Sequence, residues 1–75
     1  MNPVDLSQRR RIHVIGVAGP GMSALATVLA EMGHHVTGSD LRDLPVLDRV
    51  RRAGVAVLIG HDATAVDGAD YVVAS

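Results

Sequence analysis

The chain has no cysteine, no lysine, no phenylalanine and no tryptophan, and its only aromatic ring besides histidine is Tyr71. Without cysteine it can form no disulfide, hold no iron–sulfur cluster and supply no thiol nucleophile, although a reducing compartment is permitted. Without lysine it cannot complete a P-loop, which needs an ammonium for the β- and γ-phosphates of ATP. The near-absence of large rings disfavours a sandwich with an aromatic core. Val, Ala, Leu, Ile and Met suit a parallel sheet covered by helices instead. At 75 residues there is one domain at most, and a net charge of −1 offers no electrostatic attraction to nucleic acid or an anionic membrane.

Charged residues are also missing from Ile12 to Ala30, directly after Arg9-Arg10-Arg11. This superficially resembles a secretion signal or a membrane span. Gly16, Gly19, Pro20 and Gly21 break the apolar run, and His13 lies inside it, so the expectation is a cytoplasmic chain that neither leaves the cell nor crosses a membrane.

Among the residues present, Met1 to Gln8 keep no period and read as a loosely ordered lead-in. Ile12–Val17 has strand character. Met22, Leu25, Ala26, Leu29 and Met32 follow at helical spacing, with Gly33 placed to stop the helix in a left-handed cap. His35–Asp40 is a short strand ending in polar groups. A second helix then presents Leu47, Val50 and Ala53 on one face and Asp48, Arg49, Arg51 and Arg52 on the other. Asp43 is its expected cap, Pro45 falls in its first turn, and Gly54 ends it. Val55–Ile59 and Tyr71–Ala74 are further strands. Alternation of this kind predicts an α/β fold, a parallel sheet with flanking helices and right-handed crossovers. An end at Ser75, directly after a central strand, suggests a truncated domain.

Ligands of open α/β sheets bind at the carboxyl ends of the strands. The polar residues collect there: the turn Gly16-Val17-Ala18-Gly19-Pro20-Gly21-Met22, then Ser39-Asp40, then Gly60-His61-Asp62, then Ser75. The glycine turn, opening a helix, is the pattern of a phosphate cradle, because backbone N–H groups and the helix dipole face the anion. A dinucleotide fingerprint fits it in two registers, neither perfect. One starts at Gly16 with Ala18 in the middle position. The other runs Gly19, Gly21, Ala24 and puts Asp40 roughly 20 positions on, where a ribose hydroxyl contact is expected. Pro20 lacks an N–H, so Gly21 and Met22 carry more of the cradle, with Gly19 as helix cap.

Plainer roles stand beside these. The glycine turn also serves as a bare strand-to-helix connection, Asp40 as a loop cap and His61 as an exposed loop histidine. His34 and His35 sit at a helix exit and strand entry without further metal ligands, and Arg49, Arg51 and Arg52 form a solvated face. No nucleophile elbow or Cys–His pair exists, so no catalytic residue is assigned and the reading is a binding domain.

Taken together, the glycine turn with Met22-Ser23, Gly38-Ser39-Asp40 and Ile59-Gly60-His61-Asp62 resemble the N-terminal domain of the Mur ligase family over Ile12 to Ser75. The resemblance implies a Rossmann-like domain over residues 12–75, incomplete at its C-terminus, behind a flexible lead-in of residues 1–11. It implies that the turn Gly19-Pro20-Gly21-Met22 holds the diphosphate of UDP-N-acetylmuramate, with Ser39, Asp40 and His61 near the uridine, and Ala18 and Ser75 complete the expected substrate-binding set. It also implies a parent enzyme of peptidoglycan synthesis that uses ATP and Mg to activate a carboxylate as an acyl phosphate, which an amino acid amine then attacks. No cofactor or metal is assigned to these 75 residues. Ala18 stands where the family has a second glycine, and its methyl is expected to crowd the diphosphate. Two alternatives are carried: the NAD-binding domain of an oxidoreductase, and a non-enzymatic nucleotide-sensing or interaction module. The helix faces leave room for a homodimer.

Overall fold

The computed structural model describes residues 4–75, so the first three residues of the expected lead-in lie outside the described residues. The chain runs β1 (Arg11–Ile15), α1 (Pro20–Glu31), β2 (His35–Asp40), α2 (Val46–Arg52), β3 (Ala56–Ile59), a 3₁₀ turn (Ala63–Val66) and β4 (Tyr71–Ala74). All strand pairs are parallel in the order β3-β2-β1-β4. The predicted α/β class and element order are therefore borne out. The connection after β3 folds as a 3₁₀ turn because Asp62 caps it, accepting the N–H of Thr64 at 2.9 Å and its hydroxyl at 2.6 Å.

The alternation of β1 decides which side is core. Ile12 and Val14 face α1 and α2, which contact one another and so cover the same face of the sheet. There they meet Val17, Ala26, Leu29, Val36, Leu47, Val50 and Val55. Polar His13 points to the opposite face.

β1 ends two residues before the expected Val17, because Gly16 takes φ +75°, a left-handed conformation that turns the chain out of the sheet. Val17 is still fully buried, beneath β2. Gly38 makes that possible, since a Cβ there would lie 2.8 Å from the Val17 side chain.

α1 begins with Gly19 as cap and Pro20 in its first turn, as the sequence predicts, and Gly33 and Gly54 follow the two helices with positive φ. The inward face of α1 differs from expectation. Ser23, Ala26 and Leu29 are buried, whereas Leu25 is 36% and Met32 56% exposed. Ser23 tolerates burial because its hydroxyl donates to the Pro20 carbonyl at 3.0 Å. Met32 is already the helix cap, and Leu25 turns toward β4, where it lines a groove with Val4, Leu6, Ile12 and Tyr71.

Asp43 does not cap α2. The cap position is Pro45, with no side-chain bond, and the Asp43 carboxylate instead accepts from the Arg51 guanidinium at 3.1 Å. Leu47 and Val50 are fully buried, as the helical spacing requires. Ahead of β1, residues 4–10 form no helix or strand. Asp5 gathers the N–H and hydroxyl of Ser7 and the Arg10 guanidinium, and its own N–H donates to the Tyr71 hydroxyl at 3.0 Å.

Candidate functional site

Strand register sets the site. Ile15 pairs with Ser39 on one side and Ala74 on the other, while Ser39 pairs with Leu58 and Asp40 with Ile59. The residues that leave the four strands, Gly16, Leu41, Gly60 and Ser75, therefore emerge along one edge, with Asp40 ending β2 beside them. Two adjoining clefts open there. One, of about 290 Å³, is lined by Ile15, Gly16, Ser39, Asp40, Leu41, Gly60 and His61. The other, of about 370 Å³, runs over Ser39, His61 and the 3₁₀ turn to His13. A larger recess, about 520 Å³, lies at the opposite strand ends among Arg9, Arg10, Arg11 and His35, away from the glycine turn.

The glycine turn is built by backbone bonds to β2. The N–H groups of Gly16 and Val17 both donate to the Ser39 carbonyl, at 2.8 and 3.0 Å, and Gly19 N–H donates to the Gly16 carbonyl at 3.0 Å. Ser23 N–H donates to the Gly19 carbonyl at 2.7 Å, closing the first turn of α1. Pro20 has no N–H. Two donors remain at the helix start, Gly21 and Met22, which make no hydrogen bond among the described residues. No acidic side chain sits in that first turn, and the Asp40 carboxylate engages the Ala18 N–H ahead of it rather than Gly21 or Met22.

Asp40 organises this turn. One carboxylate oxygen accepts the Ala18 N–H at 2.9 Å, and the other accepts the Arg42 N–H at 3.3 Å. These bonds, the one from Ala18 foremost, hold its pKa below the usual carboxylate value and keep it ionised at neutral pH. Fixed negative charge at that point favours hydroxyl or N–H groups of a ligand over phosphate oxygens. Ala18 is half-buried against the core, and its N–H is spent on Asp40.

Of the residues singled out in the sequence, Ser39, Asp40 and His61 meet in the first cleft. Gly19, Pro20, Gly21 and Met22 stand at the helix start and line neither cleft, and Ser75 follows β4 without lining either. His61 is exposed, and Asp62 is engaged by Thr64.

His13 joins the site without standing at a strand end. It is 1% exposed, and its ring bridges two β2 side chains: Nδ1 lies 2.7 Å from the Thr37 hydroxyl and Nε2 3.0 Å from the Ser39 hydroxyl. Burial pushes its pKa down and favours the neutral ring. Neither strand alone signals it: His13 shares a face with Thr37 and Ser39 only through the register that pairs it with Thr37.

Comparison with known proteins agrees with this architecture. A family model described as "Mur ligase family, catalytic domain" matches residues 11–75. The UDP-N-acetylmuramate--L-alanine ligase of Rubrobacter xylanophilus is 54% identical over 65 residues, which is 87% of this chain and 14% of that protein. Its counterpart in Variovorax paradoxus is 47% identical over 66 residues, 88% of this chain and again 14% of the relative. Among solved structures, a murein peptide ligase from Psychrobacter arcticus superposes with a TM-score of 0.82 at 33% identity, over 87% of this chain and 14% of that one. The chain thus spans about one seventh of the length of these relatives.

Proposed function

Because this chain belongs to the Mur ligase family, we propose that it is the UDP-N-acetylmuramate-binding N-terminal domain of a UDP-N-acetylmuramate:L-alanine ligase of peptidoglycan synthesis. The observation that carries the reading is the pair of unpartnered N–H groups, Gly21 and Met22, beside a cleft whose lining includes the ionised Asp40. The N–H pair and the helix dipole suit the diphosphate. Asp40, Ser39 and His61 suit the hydrogen-bonding edge of the uridine.

The parent enzyme, on this reading, joins an amino acid to the muramoyl carboxylate at the expense of ATP with Mg. This chain's donor set does not fit that cofactor. It has no lysine, and among the described residues no three His, Asp or Glu side chains gather as a metal would require. Its own part is to bind and orient the nucleotide end of the substrate, and no step of phosphoryl transfer is assigned to it. No helix among the described residues is long and apolar enough to cross a membrane. The reading places the protein in the cytoplasm, where its nucleotide substrate is made.

Calorimetric titration with UDP-N-acetylmuramate, UDP and NAD tests the proposal. With only two cradle donors, a Kd of about 0.1–1 mM is expected for both uridine ligands. Absence of heat from a sample shown to be folded overturns it. Tighter binding of NAD moves the chain to the oxidoreductase alternative.

A further inference from the structure

A histidine buried inside a four-stranded sheet is costly unless both ring nitrogens are satisfied, and in His13 both are. The two contacts are not alike. A neutral ring donates from one nitrogen and accepts at the other, so one hydroxyl must donate to it and the other must accept from it. Hydroxyl donors make shorter bonds than ring N–H donors, whose usual separation is about 2.9–3.0 Å. The 2.7 Å contact fits Thr37 O–H donating to Nδ1, and the 3.0 Å contact fits Nε2–H donating to the Ser39 oxygen.

The consequence falls on Ser39. One lone pair of its oxygen is taken by His13 and its backbone carbonyl by Gly16 and Val17, while its hydroxyl proton has no partner among the described residues, at a wall shared by both clefts. We infer that His13 is a positioning residue that turns the Ser39 hydroxyl proton toward the cleft, so that an acceptor oxygen of the ligand is favoured at Ser39 over an N–H or a donating hydroxyl. The inference deepens the uridine-site reading and rests on it for the identity of the ligand, but the state of the ring does not. Asp40 and Ser39 then make a complementary pair at neighbouring positions. The carboxylate selects a donor and the serine an acceptor, which fixes the orientation of any ring presenting both.

Two measurements test it. Long-range proton–nitrogen NMR correlations of the imidazole in the unliganded protein should show His13 protonated at Nε2. UDP titrations of variants provide the second. Asparagine places its amide near Nδ1 and glutamine near Nε2, so His13→Gln keeps a donor for Ser39 and His13→Asn does not. His13→Asn and Ser39→Ala should each weaken UDP binding about tenfold, the double variant no further, and His13→Gln less than about threefold. A ring protonated at Nδ1, additive losses in the double variant, or equal losses for the Gln and Asn variants with folding intact would each overturn it. If the wild-type protein binds no UDP, the binding proposal falls. The NMR result then decides His13 alone: Nε2–H upholds its control of Ser39, and Nδ1–H refutes it.

Discussion

A methyl group added at Gly38 would come within 2.8 Å of the Val17 side chain, which is already fully buried. Gly38→Ala is expected to destabilise the fold by about 1–3 kcal/mol in urea denaturation, the range for overpacking a close contact. Because Val17 belongs to the glycine turn, the same substitution should weaken UDP binding beyond what lost stability explains. His13 and Asp40, together with the exposed Asp5 and Asp62, whose carboxylates are also held down by hydrogen bonds, set the acid response. Burial lowers the His13 pKa, so below about pH 6.5 the unfolded chain binds a proton that the folded chain refuses. Its contribution is complete above that value and is lost as pH falls. Asp40 is also depressed, chiefly by the Ala18 N–H, and its contribution is present above about pH 3.8 and lost on further acidification. Thermal melting across this range should show two descending steps, and His13→Gln should remove only the upper one. A single step near pH 4 in the wild-type protein would contradict the assignment to His13.

At the scale of elements, α1 shows how far sequence reading reaches. Its start at Gly19-Pro20 and its end before Gly33 follow from local backbone chemistry, which a sequence states outright. Its buried face did not follow, because Ser23 satisfies its own hydroxyl and so occupies an inward position that hydrophobic spacing assigns to carbon. Likewise Asp43 had the chemistry of a cap, but Arg51 one helix turn inside α2 claims its carboxylate. The site was legible where polar residues sit at strand ends, as with Ser39, Asp40 and His61. It was hidden at His13, whose role depends on the register between β1 and β2 rather than on either strand alone. The cradle itself offers a test at this scale. Pro20 fits the helix start but supplies no N–H, so Pro20→Ala should add a third donor beside Gly21 and Met22. UDP affinity is expected to rise a few-fold, by about 1 kcal/mol, the net worth of one ordinary hydrogen bond. The cost in folding stability should be about 0.4–1 kcal/mol, from the freer unfolded chain. Calorimetry and urea denaturation of the same sample separate the two effects, and unchanged or weaker UDP binding would place the diphosphate elsewhere.

For the molecule as a whole, the governing fact is that one face of the sheet carries the core. Leu47, Val50 and their neighbours are sealed by α1 and α2, whereas Ile15, Leu58 and Val72 remain 42%, 46% and 48% exposed on the other face. A core this small supplies a net stability of no more than about 3–5 kcal/mol. Leu47 is completely buried, and its truncation to alanine costs about 2–5 kcal/mol, enough to bring the chain near its folding midpoint at room temperature. Ligand then becomes a visible part of the balance. UDP at ten times its Kd stabilises a binding-competent fold by about 1.4 kcal/mol through mass action, whatever the route of binding. Leu47→Ala should therefore lose about half of its helical signal in circular dichroism without UDP and regain most of it with UDP. Leu47→Ala combined with Asp40→Ala, which removes the carboxylate holding the glycine turn, should not recover. Recovery of the double variant to the same extent would show that UDP stabilises the chain away from the Asp40 cleft. A Leu47→Ala protein that stays fully folded without ligand would show that stability does not reside in the α1–α2 face.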